Sequence, residues 1–433
     1  MLDIKYILAN FDEVSARLKS RNPEIDLSLL EELDSRRRST ITEVESLKAE
    51  KKNISKEIGK LKSSGEDASH VMARVDDLGI KINVLDSSLG EIETELTARI
   101  EVLPNIPLDP TPMVPDKSGN KAVKEWGDPV DPENWNFEFK NHIEVADNLA
   151  PGGGLDFPRA SKMTGSNWPM YRGSLAHLEW ALVKFLIDRA VASARELIIP
   201  PYVVNADSMY ASGQFPKFRE QAYEVEKDRL VLIPTSEVPL LNLYRDEILP
   251  GEFLPFRAAS FTPCFRREAG TYGKEERGLI RLHQFHKVEI FTFVSPADSE
   301  QELQNMTRYA EELVEALGLT YRTTLLAAGD LAQQSACTYD VEVWLPGQHA
   351  FSEVSSISNC TDYQARRANI RYRPKDSKKP EFLHTLNGSA LATSRLMVSI
   401  LEHYQREDGG LNVPEVLVDY MGGQKVIENA KSY

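Results

Sequence analysis

Residues 261–289, FTPCFRREAGTYGKEERGLIRLHQFHKVE, bring cations, an aromatic and carboxylates together at strand-like spacing. Two runs of strand composition flank a segment containing Gly270, Gly273 and Gly278, so a long antiparallel hairpin is expected. In the second run, period-2 alternation puts Arg281, His283, Phe285, Lys287 and Glu289 on one face. Four strand residues span roughly 13 Å, so this face can offer a cation, an aromatic plate and a carboxylate to successive parts of one elongated ligand. Arg266 and Glu268 share a face of the first run. Arginine suits phosphate because its planar fork holds two oxygens at once. A phenylalanine can stack on a base, and Glu289 can accept from an ammonium or a hydroxyl. The same residues also read as an ordinary charged hairpin, with Phe285 in a core and the arginines solvated.

Three further segments carry polar groups that could complete such a site. Residues 230–238 read as a buried strand ending in Thr235-Ser236-Glu237, about thirty residues ahead of Arg266. Residues 338–345 alternate as a strand, turn at Pro346-Gly347, and feed a second run holding Glu353 and Ser356. One carboxylate and one hydroxyl are chemically sufficient for magnesium when phosphate and water complete the shell, and a capped turn with a solvated glutamate explains them equally. Near the C-terminus a strand is expected to run into a helix through Asn387-Gly388-Ser389, with Arg395 about one turn inside. Free N–H groups and the dipole make a helix N-terminus favourable to anions.

The elements that must hold these groups are drawn from 433 residues, 41% hydrophobic and 27% charged, with a net charge of −15. That length allows two or three domains. No run is long enough to cross a bilayer, and the acids in MLDIKYILANFDEV do not fit a secretory signal, so a cytoplasmic protein without membrane association is expected. Cys264, Cys337 and Cys360 are too scattered for a metal site or disulfide framework and read as buried small residues. The acidic balance argues against indiscriminate nucleic-acid binding, so a nucleic-acid partner would need a local basic surface.

Such a surface is available in the first hundred residues. A short amphipathic helix over 2–18 is broken at Arg21-Asn22-Pro23. Val44, Leu47, Ile54, Ile58 and Leu61 then follow three- and four-residue steps, with Lys51 at the intervening core-type position. After Ser63-Ser64-Gly65, residues from Val71 to Leu96 keep the same spacing. Each run needs a partner helix, and the other run supplies one, which predicts an antiparallel helical hairpin about 50 Å long. Lys48, Lys51, Lys52, Lys56, Lys60 and Lys62 crowd the end of the first helix, while the second is acidic. This strip could follow a phosphate backbone without reading bases, or it could be the solvated face of an oligomerisation coiled coil.

Five prolines in 103–115 mark a domain boundary. The expected domains are an N-terminal arm over 1–103, a Pro-rich linker and entry segment over 104–135, and a third domain over 136–433. A helix over 172–196 leads to a strand ending near Pro201. The basic stretch 366–379 reads as a surface loop or an RNA contact, and the apolar run 413–420 is expected to return to the sheet.

FRRE, then a loop, then RGLIRLHQFHKVE resembles motif 2 of class II aminoacyl-tRNA synthetases, in the form found in seryl-tRNA synthetases. The resemblance covers essentially the whole chain, with motifs in family order. It implies an α+β fold, an antiparallel catalytic sheet flanked by helices and preceded by the helical arm. It implies an ATP-dependent enzyme that makes seryl-adenylate and transfers serine to the terminal adenosine of tRNA(Ser), with tRNA(Sec) a further candidate. On this resemblance Arg266, Arg395 and Glu289 are the catalytic residues. Thr235, Glu289, Asn387 and Ser389 bind serine. Arg266, Glu268, Arg281, Phe285, Glu353, Ser356 and Arg395 bind ATP, Phe285 by stacking on adenine. Glu353 and Ser356 hold Mg2+, the lysine strip meets tRNA, and Pro201 lies at a homodimer interface. Two rivals remain open: a non-catalytic RNA-binding or coiled-coil scaffold, and an adenylate-forming relative that loads a carrier protein.

Overall fold

The structure, a computed structural model, describes residues 1–150, 153–269 and 278–430. It divides into two compact units, one of Leu2–Lys19 with Pro23–Leu103, the other of Met1, Ser20–Asn22 and Pro104–Tyr433.

The smaller unit is helical: α1 (Ile4–Ala9), α2 (Phe11–Lys19), α3 (Ser28–Ser64) and α4 (Ser69–Glu101). The single amphipathic helix expected at the start is thus two short ones, divided at Asn10, whose N–H bonds back to Tyr6 and Ile7. Helix α3 ends where Gly65 adopts φ 76°, a left-handed conformation that costs glycine little, and its N–H caps the carbonyls of Leu61 and Lys62. Ile54 of α3 is buried with Val71 and Leu78 of α4, and Leu47, Ile58, Leu61 and Val75 pack around them. Lys48 pairs with Asp86 at 3.2 Å and Glu50 with Arg74 at 2.6 Å, so the two helices run in opposite directions.

The larger unit is built on an eight-stranded sheet. Its strands are β1 (Lys121–Trp126), β2 (Glu196–Leu197), β3 (Phe256–Phe265), β4 (Gln284–Val294), β5 (Tyr321–Leu325), β6 (Cys337–Leu345), β7 (Ala350–Asn359) and β8 (His384–Ala392). They lie in the order β1-β5-β6-β7-β8-β4-β3-β2 and pair antiparallel except for β2 with β3. The helices are α5 (His142–Asn148), α6 (Phe157–Thr164), α7 (Gly173–Ala192), α8 (Ala206–Ala211), α9 (Glu237–Leu241), α10 (Ser299–Ala316), α11 (Tyr363–Arg367) and α12 (Thr393–His403). Among the described residues no helix is long and apolar enough to cross a membrane.

Alternation along β4 decides where core and site fall. Val288 and Ile290 point to a core closed by Leu178 and Leu182 of α7, Met306 of α10 and Ile400 of α12. On the opposite face Phe291 and Phe293 enter a second core with Leu240, Leu241 and Ile370. The same face continues through Glu289, Lys287 and Phe285, and there it lines a cavity.

Several boundaries differ from expectation. Helix α7 stops at Ala192, because Ala194 turns left-handed at φ 59° and brings Glu196–Leu197 parallel to Ala258 and Ala259. The strand expected over 230–238 ends at Leu232, and Glu237 opens α9. Asn387-Gly388-Ser389 lies inside β8, where β4 pairs with it, and the helix begins only at Thr393. Residues 413–420 do not join the sheet. They form 3-10 turns over Glu415–Leu417 and Asp419–Met421, and Val413, Leu417 and Val418 of this stretch fill the main core.

Candidate active site

The cavity beside β4 encloses about 560 Å³, within the range of small-ligand sites. Thr235, Arg266, Glu268, Arg281, Phe285, Glu289, Glu353, Ser356, Asn387, Ser389 and Arg395 all line it. Pro201 and the arm lysines lie elsewhere. Lys48, Lys52, Lys56, Lys60 and Lys62 are exposed, and half-buried Lys51 reaches over α4, where a Cβ on Gly79 would lie 3.1 Å from its ammonium.

The hairpin register sets the inner end of the cavity. Glu289 lies between Ser260 of β3 and Ser389 of β8, and Lys287 opposite Thr262. Lys287 is buried, its ammonium 2.5 Å from Glu289 and 2.8 Å from the Thr235 hydroxyl. Burial pushes the Glu289 carboxyl above its ordinary range, and Lys287, Arg266 and Thr235 hold it back. Behind it Glu237, fully buried, is raised to about 7 by burial and then by Glu289. Its Oε1 accepts from Gln364 at 2.6 Å, Gln334 at 3.1 Å and Asn387 at 3.2 Å. Asn387 is therefore oriented by the Glu237 carboxyl as well as by its strand.

The outer part is cationic and aromatic. The Arg266 guanidinium lies 5.1 Å from the Phe285 ring centroid and covers one ring face. Arg281 is paired with Glu268 at 2.5 Å. Both residues lie outside the strands: β3 ends at Phe265 and β4 begins at Gln284. The alternation expected there fails for His283, whereas Arg281 still lines the cavity. His283 turns away, its ring 5.6 Å from that of Trp168 and its Nδ1 3.0 Å from the Arg266 carbonyl. The loop glycines Gly270 and Gly273 lie outside the described residues. Arg395, in the first turn of α12, donates to the carbonyl of Glu353 at 2.6 Å and to that of Ile280 at 3.4 Å.

Among the described residues no three His, Cys, Asp or Glu side chains cluster as a metal site. Glu353 and Ser356 on β7 still present a carboxylate and a hydroxyl to the cavity, and Asp340 faces Ser356 across the β6–β7 pair. Asp340 is buried, leaves Oδ1 without a hydrogen-bond partner, and has a carboxyl pushed well upward by burial and by Glu353. A carboxyl with one unpartnered oxygen beside a second carboxylate fits a hard cation bound among oxygen ligands.

Glu237, Gln334, Gln364, Lys287 and Asp340 belong to this arrangement, and sequence reasoning gave none of them a role. Glu237 stood in the Thr-Ser-Glu string, and Lys287 shared the strand face of Glu289. Gln334 and Gln364 sit in ordinary loop and helix sequence and carried no signal.

Two family models match the chain: the seryl-tRNA synthetase N-terminal domain over residues 1–107, and the class II tRNA synthetase core domain (G, H, P, S and T) over 220–404. Serine–tRNA ligase of Geobacter sulfurreducens is 46% identical over 428 residues, 99% of this chain and 100% of that protein. The enzyme of Desulfitobacterium hafniense is 45% identical over 422 residues, 98% and 99% of the two chains. A crystal structure of seryl-tRNA synthetase from Pyrococcus horikoshii complexed with ATP aligns with a TM-score of 0.94 at 37% identity, covering 99% of this chain and 100% of that one. The cytoplasmic serine–tRNA ligase of Naegleria fowleri, in complex with AMP, aligns at 0.89 with 29% identity and 99% coverage of both. With identity of this degree over its whole length, the chain belongs to the seryl-tRNA synthetase family of class II aminoacyl-tRNA synthetases.

Proposed function

We propose that the chain is a serine–tRNA ligase that activates serine with ATP and transfers it to tRNA(Ser). The observation that carries this reading is one cavity holding a buried Lys287–Glu289–Thr235 cluster at its inner end and Arg266, Phe285 and Arg395 further out. That order matches an amino acid placed against the α-phosphate of a nucleotide.

Serine's ammonium is received by Glu289 and its hydroxyl by the polar groups around Thr235, Asn387 and Ser389. Its carboxylate, already ionised at neutral pH, attacks the α-phosphorus as pyrophosphate leaves. Arg266 stabilises charge on the α-phosphate, Phe285 stacks on adenine, and Arg395 steadies the outgoing phosphates. Glu268 orients Arg281, whose guanidinium faces the same ligand. Glu353 and Ser356 would hold Mg2+, which neutralises phosphate charge when bound. The 2′ or 3′ hydroxyl of the terminal adenosine then takes the acyl group. Alanine is disfavoured because it leaves buried polar groups unpaired, and threonine is excluded by size.

The helical hairpin serves as a coiled-coil arm that follows tRNA backbone with its exposed lysines, a contact by shape that extends to tRNA(Sec). The active form is a homodimer. Leu197, Ile199, Tyr202 and Val203 around Pro201 are 41%, 79%, 39% and 41% exposed, an apolar strip that a second copy would cover. Three free, buried cysteines support a reducing, cytoplasmic setting.

The test is pyrophosphate exchange into ATP with serine, alanine, threonine and glycine, with and without tRNA. Serine-dependent exchange without tRNA is expected. Folded protein that exchanges with no amino acid would refute the enzymatic reading.

A further inference from the structure

His142 is one of the most enclosed titratable groups outside the cavity, and no step above uses it. It opens α5, is 6% exposed, and stands between α12 and the start of the chain that returns into β4. Its Nδ1 lies 3.1 Å from Oε1 of Glu402, which also accepts the His142 backbone N–H at 3.2 Å. The other oxygen of Glu402 accepts the Gly347 N–H at 2.9 Å, so the carboxylate behind the ring is fixed at both ends. On the far side of the ring the Leu279 N–H donates to Nε2 at 3.4 Å. A ring that accepts at Nε2 carries its proton on Nδ1 and gives it to Glu402.

Gly278 reaches the same imidazole. Its φ is 77°, and a Cβ there would lie 2.0 Å from Nε2. The next residues carry functional groups: the Ile280 carbonyl accepts from Arg395, and Arg281 lines the cavity. Residues 278–281 are therefore attached to α12 at two points. Arg395 holds Ile280 directly, and Glu402 holds Leu279 through the imidazole.

We propose that His142 is a positioning residue for ATP: the Glu402–His142–Leu279 relay sets residues 278–281 in register with Arg395. The inference rests on the adenylation reading for its consequence but not for its geometry. Only the nucleotide meets both Arg281 and Arg395, so the effect should fall on ATP and spare serine.

An amide at position 142 separates the two ring nitrogens. His142→Gln places its amide near Nε2 and can still accept from Leu279, whereas His142→Asn reaches only the Nδ1 position and keeps the bond to Glu402. In pyrophosphate exchange, His142→Asn should raise KM for ATP about fivefold, as expected for one net hydrogen bond. Serine KM and kcat should stay within about twofold, and His142→Gln, which keeps the Leu279 bond and loses only the ring's bond to Glu402, should raise ATP KM less. Gly278→Ala approaches from the loop side and should also raise ATP KM selectively. Hydrogen–deuterium exchange at the Leu279 amide reads the relay without catalysis. It should quicken more in His142→Asn than in His142→Gln. Equal behaviour of the Asn and Gln variants, a parallel shift in serine and ATP KM, or an unchanged Leu279 amide would overturn the proposal. Exchange activity absent from the parent protein would refute the adenylation reading alone, since the amide measurement still decides the relay.

Discussion

Glu237→Gln should remove a pH dependence from stability, in a direction fixed by its surroundings. Glu237 is fully buried, and burial followed by repulsion from Glu289 raises its carboxyl from 4.5 to about 7. The folded state therefore holds a proton that the unfolded chain has released. Its contribution is fully present below pH 4.5, falls as pH rises, and is gone above about 7. At about 1.4 kcal/mol for each pH unit between the two values, the loss is about 3 kcal/mol. Glutamine keeps an oxygen where Oε1 accepts from Gln334, Gln364 and Asn387, and it cannot ionise.

Relative to the variant, the parent protein should thus lose about 3 kcal/mol between pH 4.5 and 7 and nothing more above it. For a unit of this size that is about 5 °C in thermal midpoint. Midpoints of both proteins measured at half-unit steps from pH 5 to 8.5 give the comparison. Parallel curves, or a gap that widens towards acid, would refute the reasoning, because either means that Glu237 is ionised in the fold.

Lys287→Met should raise serine KM by roughly a hundredfold and leave ATP KM nearly unchanged, since breaking a buried pair costs roughly 3 kcal/mol or more; equal effects on both substrates would contradict it. On the proposed homodimer, Ile199→Asp should yield monomers in sedimentation, because a charge in an apolar strip that a second copy covers would stay unpaired. An unshifted profile would remove Ile199 from the interface. Replacing Lys52, Lys56 and Lys60 together by alanine should weaken tRNA binding and flatten its salt dependence while sparing serine-dependent exchange. Loss of exchange would show that these lysines act on the fold.

One part of the site was legible from strand alternation alone. Phe285, Lys287 and Glu289 share a face because side chains alternate in any strand, and that needs no tertiary knowledge. The alternation failed one step beyond the strand: Arg281 still meets the cavity, while His283 packs against Trp168. The start of α12 was misplaced because Asn387-Gly388-Ser389 has turn composition, and pairing with β4 overrides local preference. Gln334 and Gln364 could not be read at all. Their task is to donate to Glu237, and the two acceptor–donor pairs lie 97 and 127 residues apart.

The buried charges also bear on why serine fits the pocket. Glu237, Glu289 and Lys287 lie within one desolvated cluster, and all three ionised would leave a net negative charge away from water. Lys287 contacts Glu289 directly and favours its ionised form, while Glu237, raised to about 7, holds a proton below that pH. Below about pH 7 that proton reduces the net negative charge of the cluster, and the acceptor facing the cavity is the one paired with Lys287. On the proposed reading, a zwitterionic amino acid enters without changing the net buried charge, and its ammonium meets a Glu289 whose ionised form Lys287 already favours. A neutral Glu289 would have to lose a proton first, at a cost in affinity that grows as pH falls. A proton held on Glu237 below about pH 7 lies one residue layer behind the binding face and leaves the Lys287–Glu289 pair in place, so Glu237→Gln should leave serine binding intact and Lys287→Met should not.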